Sequence, residues 1–371
     1  MFLNNIKHNI SFAFLSTLSI ILIFFITYFE YGLNYSLLFF IGITLGLTFI
    51  ATSFGFASGW TYFFKYMDSS SIIKQFMLIG LTSLFIIPTV HLFESYSPTI
   101  APISISLLIG SFIFGIGMQL SNGCASGTLF SVGNGNTKMM IVLLFFIIGS
   151  FIGSLILPIV INFGSIKPVI IGSNFNLINK LLLNISILIA IAFIFFKISN
   201  RKIIINIKDI LAIIVISLLC LMCLLLSGYT WGITFGLTVW GGKLWSLIGG
   251  DIYSFTFWNW SRPSQALQNS LLSEVSSLMN IGMILGSLTY VIVSKKIILP
   301  YKFNLKIIFS SIAGGLLMGI GARLAFGCNI GAFLGGISSG SLHGWVWFLF
   351  AFCGGWVGFK FRNYFNLNKD L

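Results

Sequence analysis

Two cysteines occupy matching positions in two distant copies of one glycine-rich pattern. The first copy reads Gly115-Ile-Gly-Met-Gln-Leu-Ser-Asn-Gly-Cys124-Ala-Ser-Gly127, and the second reads Gly319-Ile-Gly-Ala-Arg-Leu-Ala-Phe-Gly-Cys328-Asn-Ile-Gly331. A thiol is a weak hydrogen-bond donor and, once ionised, a nucleophile or metal ligand. Because neither cysteine has a His, Asp or Glu close in sequence, the pattern does not favour an activated nucleophile. The duplication in register indicates one function shared by both thiols.

The residues around each thiol suit a narrow constriction that attracts anions. A glycine precedes each cysteine and another follows three residues later, which lets backbone approach closely and exposes amide groups to a ligand. The polar stretches 126–136 and 329–341 are too short to cross a membrane, so each is predicted to fold back as a half-helix that begins near its cysteine. The positive amino-terminal ends of such helices attract anions.

Polar side chains near the thiols complete the predicted site. Gln119 and Arg323 hold equivalent places five residues before the two cysteines. A charge at membrane depth needs a cavity or a partner, so Arg323 is a candidate substrate contact, with snorkelling or pairing with an acid as the alternative. His343 is either a pathway residue or a surface or capping histidine at the outer end of the last span. The candidate pathway residues are Cys124, Cys328, Gly123, Gly327, Gly127, Gly331, Asn329, Gln119, Arg323 and His343.

The other three cysteines are predicted to be structural. Cys220 and Cys223 stand in a leucine run without a nearby charge, where free cysteine behaves as a small buried hydrophobe. Cys353 lies beside Gly354-Gly355 and is assigned to helix packing. No cysteine has a histidine at metal-ligand spacing, so the sequence predicts neither a metal nor another cofactor.

The composition shows what kind of element must position these residues. The chain has 57% hydrophobic and 7% charged residues, with a mean hydropathy of +1.03, whereas a soluble domain carries roughly 25% charged residues. Continuous apolar runs recur over nearly the whole length, each long enough to cross a bilayer core about 30 Å thick. They predict an all-α polytopic membrane protein in a lipid bilayer and exclude a β-barrel, whose strands alternate.

The net charge of +13 is explained by basic cytoplasmic loops. Nucleic-acid binding is excluded because no soluble basic domain is present. The later basic loops fall on the cytoplasmic side, with the earlier ones, only if the Gly- and Trp-rich run 230–249 is re-entrant or broken and does not cross the membrane. About ten crossings remain, with both termini cytoplasmic in a bacterial inner membrane. Lys243 is then an interfacial lysine rather than a pore cation, and Asp251 and Glu274 are solvated in or near an outer loop.

This topology gives the two cysteine patterns opposite orientations. The chain enters the first from the cytoplasmic side and the second from the outer side, which predicts inverted repeats whose broken helices converge near the midplane. The predicted organisation is an extra N-terminal transmembrane helix at 1–35, a first half at 36–163, a connector with one helix at 164–209, a second half at 210–361 and a cytoplasmic tail at 362–371.

The motifs around both thiols resemble those of the YeeE/YedE family of sulfur-transport membrane proteins. The longest match runs from Gly321-Ala-Arg-Leu-Ala-Phe-Gly-Cys328-Asn-Ile-Gly-Ala through Gly336-Ile-Ser-Ser-Gly-Ser-Leu-His343-Gly-Trp-Val-Trp347. Gly123-Cys-Ala-Ser-Gly127, Tyr229-Thr-Trp-Gly-Ile-Thr234 and Leu278-Met-Asn-Ile-Gly-Met-Ile-Leu-Gly286 also look like the family. The likeness covers roughly residues 36–361.

The resemblance implies an hourglass of inverted halves with electropositive depressions on both faces and cysteines at the constriction. There the terminal sulfur of thiosulfate is expected to pass between thiols through transient S–H···S contacts, a role that falls on Cys124 and Cys328. Some members have a third pathway cysteine near the motif that begins here at Leu278. The corresponding stretch, Ser273-Glu-Val-Ser-Ser277, contains no cysteine, so this chain departs from the three-thiol pattern.

The sequence therefore predicts a non-enzymatic importer of thiosulfate or a closely related sulfur anion. Two alternatives stay open. The same fold could carry sulfite, a persulfide-type sulfur or a selenium compound to a cytosolic sulfur carrier or sulfurtransferase, or the chain could be a membrane thiol enzyme. Transport requires binding weak enough for release, which suits a neutral thiol that contacts a soft sulfur.

Overall fold

The computed structural model describes residues 2–294, 304–365 and 367, with side chains from residue 14 onward. Within these residues nearly all of the chain is helical, and the sheet consists of two short antiparallel strands. Ten described helical stretches are long and apolar enough to cross a membrane. The prediction of an all-α polytopic membrane protein is confirmed.

The helices follow the predicted apolar runs. Up to the connector they are α1 (Phe2–Tyr31), α2 (Leu33–Thr52), α3 (Phe56–Tyr66), α4 (Ser70–Leu92), α5 (Ile105–Ser121), α6 (Ala125–Gly133), α7 (Thr137–Val160) and α8 (Leu177–Ile198). After it they are α9 (Ile207–Ser227), α10 (Thr234–Leu247), α11 (Ser261–Gln268), α12 (Val275–Ser294), α13 (Leu305–Leu324), α14 (Gly336–Ser338) and α15 (Leu342–Phe361), with a π-helix at Asn329–Gly335. Short 3₁₀ turns occupy Ile161–Phe163, Thr256–Asn259 and Leu271–Ser273, and strands β1 (Ile103–Ser104) and β2 (Ser165–Ile166) form the sheet.

Short helices stand where the sequence predicts broken or re-entrant segments. The helix α6 begins directly after Cys124, and the π-helix begins directly after Cys328. The helix α10 has 14 residues, about 21 Å at 1.5 Å per residue, which is shorter than a bilayer core of ~30 Å. It lies outside the ten long apolar stretches, in agreement with the prediction that 230–249 does not cross on its own.

The two halves meet along helices whose backbones touch. The most extensive packing joins α7 with α13, α5 with α15, α2 with α12 and α5 with α13. A side chain at Gly115 in α5 would overlap the carbonyl of Ala351 in α15, and one at Gly319 in α13 would overlap the carbonyl of Phe146 in α7. In lipid, close packing of small residues replaces the hydrophobic effect as the force between helices. The glycines of both patterns therefore assemble the core that surrounds the thiols.

Contacts of the two halves correspond to one another. The helix that carries the first pattern, α5, packs on α15, and the helix that carries the second, α13, packs on α7. Likewise α6 packs on α12, and α14 packs on α4. Equivalent helices of the two halves thus make equivalent contacts, which fits two related halves. Their inverted orientation and the domain limits stay predictions.

Two sequence interpretations are wrong, and for His343 one of the open alternatives is removed. Cys353 is exposed rather than packed, because its neighbour Gly354 makes the close contact, with Phe112 of α5. Glu274 is only 8% exposed, so the expectation of a solvated carboxylate fails. His343 is fully buried, which removes the surface alternative for this histidine. Cys220 and Cys223 are buried in the main core, as predicted.

Candidate functional site

Cys124 lies at the sharp turn between α5 and α6. Asn122 ends α5 in a left-handed conformation with φ 62°, and Cys124 is the N-cap residue of α6. Its sulfur accepts a hydrogen bond from the Gly127 amide at 3.3 Å and lies 3.4 Å from Ser126 Oγ. The side chain is 1% exposed, yet it lines a cavity of about 350 Å³ together with Gly123 and Gly127. We call this space the first cavity.

Cys328 occupies the corresponding turn of the second half. Phe326 adopts φ 58°, Gly327 adopts φ 157°, and the π-helix starts after the cysteine. The Cys328 carbonyl accepts hydrogen bonds from the amides of Ala332 at 2.9 Å and Phe333 at 3.3 Å. The second of these spans five residues and defines a π-turn, a feature frequent at functional sites. The Cys328 side chain is fully buried.

A second cavity, of about 330 Å³, reaches the Cys328 turn through Gly327 and Gly331. It shares no described lining residue with the first cavity. The two cysteine-bearing segments touch one another, since α6 contacts the π-helix. A separate cavity therefore reaches each of the two turns that carry a buried thiol.

The two cavities differ in charge. Arg323 and Arg262 line the second cavity, whereas the described lining of the first contains no charged residue. The Nε atom of Arg323 is buried and has no hydrogen-bond partner among the described residues. Within that same part of the chain, the one ion pair within 4.0 Å joins Lys74 to Asp209. The alternative that Arg323 pairs with an acid is therefore not supported, and its charge is left to attract an anion.

Two polar residues of the second half have open hydrogen-bonding capacity. Asn329 follows Cys328 and is 1% exposed, and neither its Oδ1 nor its Nδ2 has a partner among the described residues. Buried polar groups normally find partners, so an anion or water at the thiols would satisfy this amide. His343 donates to or accepts from Ser341 Oγ through Nδ1 at 2.7 Å, and its ring packs on Gly336. It lines neither the first nor the second cavity.

Gln119 is a packing residue rather than a lining residue of the first cavity. It is fully buried, and its Oε1 accepts a hydrogen bond from Thr61 of α3 at 2.9 Å. Its backbone carbonyl accepts one from Arg362 at 2.8 Å. The same guanidinium donates to Asn122 Oδ1 at 3.1 Å and to the Leu367 carbonyl. Although Gln119 and Arg323 share a register position, only Arg323 reaches a cavity.

Sequence reasoning missed three residues of the site. Arg362 was assigned to the tail, but its side chain is fully buried against the turn that carries Cys124. Arg262 is absent from the predicted pathway residues, yet it lines the second cavity. Glu274 stands beside Arg262, and burial raises the pKa of its carboxyl while hydrogen bonds from Ser277 and Ser276 and the Arg262 charge lower it. No motif marks these residues, because their roles arise from tertiary contacts.

Lys243 has a structural role. Its Nζ donates to the carbonyls of Leu267 and Asn269, each at 2.7 Å, at the end of α11. These bonds fix α11 against α10 and leave the lysine outside the lining of the second cavity. This placement agrees with the prediction from the sequence that Lys243 is not a cation of the pore.

Ten helical stretches able to cross a membrane, with cavities among them, are typical of the class of membrane transporters. The chain is a member of the family described as "Sulphur transport", whose model matches residues 51–357. This match confirms the resemblance noted in the sequence and includes both cysteine patterns.

Relatives with assigned names agree with this membership. The chain is 31% identical to the "Probable transporter YedE" of Salmonella typhimurium and 32% identical to that of Escherichia coli, each over 136 residues that make up 37% of this chain. These alignments span 33% of each YedE protein. The chain is also 29% identical to the "Thiosulfate transporter TsuA" of Spirochaeta thermophila over 270 residues, which cover 67% of this chain and 75% of that protein.

Proposed function

We propose that this protein imports thiosulfate, or a closely related sulfur anion, through the constriction formed by Cys124 and Cys328. The observation that supports the proposal is the placement of both thiols at the starts of contacting half-helices, with a separate cavity reaching each of the two turns. The likeness to a protein named as a thiosulfate transporter supports this choice of cargo. The membrane is the bacterial inner membrane, with both termini cytoplasmic and the two halves inverted.

Entry begins in the second cavity, which faces outward in this topology. Arg323 lacks an acidic partner there among the described residues, so a dianion gains favourable electrostatic energy by approaching it. The cavity is open at Gly331, where no atom apart from its chain neighbours and its own helix lies within 4 Å of the position that a Cβ would take. An anion can therefore come close to the backbone turn that holds Cys328 and the unpartnered amide of Asn329.

Passage at the thiols needs no covalent step. A neutral thiol donates a weak hydrogen bond, and the terminal sulfur of thiosulfate is a soft, polarisable acceptor. Cys328 and then Cys124 would hold that sulfur in turn, each contact weak enough to break as the next one forms. Conduction requires such shallow binding. The anion then leaves through the first cavity, where a cytosolic sulfurtransferase or sulfur carrier would take it up.

Uptake of radiolabelled thiosulfate tests the proposal in a host that lacks its own sulfate and thiosulfate uptake systems. Cys124→Ser and Cys328→Ser replace a soft thiol by a hard hydroxyl of similar size. Each change is expected to lower the uptake rate at least about ten-fold, equivalent to ~1.4 kcal/mol. Cys353→Ser is the matched control, since this thiol is exposed on α15 away from both cavities.

Protein amounts in the membrane are measured for every variant. Wild-type uptake lost in both pathway variants and kept in the Cys353→Ser control supports the proposal. Equal uptake in all four proteins would remove the thiols from the mechanism. Growth on sulfite or on a selenium compound, without any uptake of thiosulfate, would assign the fold to a different cargo.

A further inference from the structure

A third cavity, of about 450 Å³, adjoins the second cavity at its far side from Cys328. The two share Tyr229, Thr230, Gly232, Phe235, Arg262 and Ser276 in their linings. The third cavity adds polar side chains and one acid, namely Tyr35, Ser227, Ser261, Gln265, Asn269, Ser273 and Glu274. No cysteine is among the described lining residues of this space. Its chemistry therefore differs from that of the thiol constriction.

Arg262 lines both cavities, and its guanidinium lies over two aromatic rings. Its guanidinium lies 4.5 Å from the ring centroid of Phe235 and 5.4 Å from that of Tyr229. Rings in these positions stabilise a cation and limit its rotamers. Arg262 has no ion pair within 4.0 Å among the described residues, so its planar fork stays available to oxyanions, which it matches in a bidentate manner.

Glu274 is the acidic residue in the described lining of the third cavity, and its charge acts on Arg262. Its Oε2 accepts a hydrogen bond of 2.6 Å from the Ser277 amide at the start of α12, and its charge interacts with Arg262. A buried carboxylate on the wall of an anion-conducting cavity opposes anions, because like charges repel more strongly where water is scarce. Its presence beside Arg262 lowers the net positive potential without cancelling it through direct contact.

We propose that the third cavity is a separate entry site for small divalent oxyanions, in which Arg262 binds the oxygen-bearing end of the anion and Glu274 limits how tightly it is held. The inference rests on the proposed function for the direction of travel. Since no described thiol lines the site, it recognises oxygens and not the soft sulfur. Sulfate should therefore bind here and compete with thiosulfate, although only the latter suits the cysteines.

A weak first site has a clear use in transport. An anion held firmly at Arg262 would be slow to move on to Arg323, and repulsion between two bound dianions favours filling one place at a time. The neighbouring carboxylate keeps the first binding event shallow, as conduction requires. Glu274 thus limits the affinity of the site for the anion, and its replacement by a neutral residue should tighten binding.

Calorimetric titration of sodium sulfate into the purified, detergent-solubilised protein tests the site, with sodium chloride at matched ionic strength as the reference. Arg262→Gln is expected to weaken sulfate binding at least about ten-fold, the usual scale for a lost charged hydrogen bond. Glu274→Gln keeps an acceptor for the Ser277 amide and is expected to tighten binding by about three-fold or more. Asp251→Asn, an exposed acid on the same loop, should leave the affinity unchanged.

Opposite shifts in the Arg262 and Glu274 variants would establish the site, since a merely structural role weakens binding in both. Unchanged affinity in Arg262→Gln, or weaker binding in Glu274→Gln at wild-type thermal stability, would overturn it. If Arg262→Gln does not fold, Arg262→Lys keeps the charge and loses the fork, and an affinity equal to wild type would count against the site. Sulfate binding that depends on Arg262 in a protein without thiosulfate uptake would refute the proposed function and leave this site standing.

Discussion

The segments after Cys124 and Cys328 start from one sequence pattern and reach different local structures. After Cys124 the chain forms the regular helix α6, and the sulfur accepts the Gly127 amide as an N-cap. After Cys328 it forms a π-helix, whose wider turn is closed by a hydrogen bond from Phe333 to the cysteine carbonyl. The shared pattern therefore determines the residue at which each half-helix begins. It does not determine whether that segment winds as an α-helix or as a π-helix.

The side chains that follow the thiols account for the difference. In the first half Thr128 Oγ1 returns to the Cys124 carbonyl at 2.9 Å and supports an ordinary helical turn. In the second half Phe333 is fully buried and stacks on Phe348 at 5.0 Å and on Trp347 at 6.1 Å. With this ring packed in the aromatic core, the Cys328 carbonyl accepts the wider bond from Phe333 in addition to the ordinary helical bond from Ala332.

The surroundings of the two thiols also differ in charge, and under the proposed function this difference favours entry of an anion from the Cys328 side. Arg323 and Arg262 line the cavity on the Cys328 side, whereas the described lining on the Cys124 side is neutral. An anion is collected where cations stand and is released where they do not. The electropositive depression expected on both faces from family resemblance is found in the described lining of one cavity.

The largest effect is expected from glycines that the two patterns share. Gly115→Leu and Gly319→Leu should each prevent folding, because the new side chain would overlap the backbone of α15 or α7 and close glycine packing holds these helices together. The amount of monodisperse protein after detergent extraction measures this. If the two halves are equivalent in assembly, both variants fail alike.

Gly80→Ala supplies the control for that experiment. A Cβ at Gly80 in α4 would meet side-chain atoms of Ile185 and Leu188 at about 4 Å, an ordinary van der Waals distance. This variant should be recovered at the wild-type level. Recovery of either leucine variant at that same level would show that the backbone contacts between the halves are not needed for assembly.

A smaller and more selective effect is expected from the pair at equivalent positions, Gln119 and Arg323. Arg323→Gln should raise the KM for thiosulfate about ten-fold or more, because it removes one of the two positive charges that line the second cavity, while thermal stability stays close to wild type. Gln119→Leu should lower stability by about 1 kcal/mol through the lost bond from Thr61 and leave KM near wild type. Thermal unfolding and uptake kinetics on both proteins separate the two roles.

The reverse outcome would break the comparison between the halves. A KM that rises in Gln119→Leu, with stability unchanged, would mean that this amide contacts the anion despite its place in the packing between α5 and α3. A wild-type KM in Arg323→Gln would mean that the second cavity does not collect the substrate through this charge.

Much of the architecture could be predicted from the sequence because lipid imposes long apolar runs and close glycine contacts. The starts of α6 and of the π-helix at the two cysteines followed from the pattern itself. The π-turn at Phe333, the burial of Arg362 and the placement of Arg262 and Glu274 in one cavity wall could not be predicted, since each depends on tertiary packing. Charge alone suggested loop positions for Arg262 and Arg362, and only tertiary structure distinguishes a lining or buried arginine from a solvated one.

Protection of the two thiols by substrate tests the central claim most directly. In a protein that keeps Cys124 and Cys328 and has serine at Cys220, Cys223 and Cys353, a small charged thiol reagent is applied with and without thiosulfate. We predict that Cys124 reacts through the first cavity and that thiosulfate slows the modification of both thiols, whereas sodium chloride at matched ionic strength does not. Modification of both cysteines at rates that thiosulfate leaves unchanged would contradict a pathway in which these thiols contact the anion.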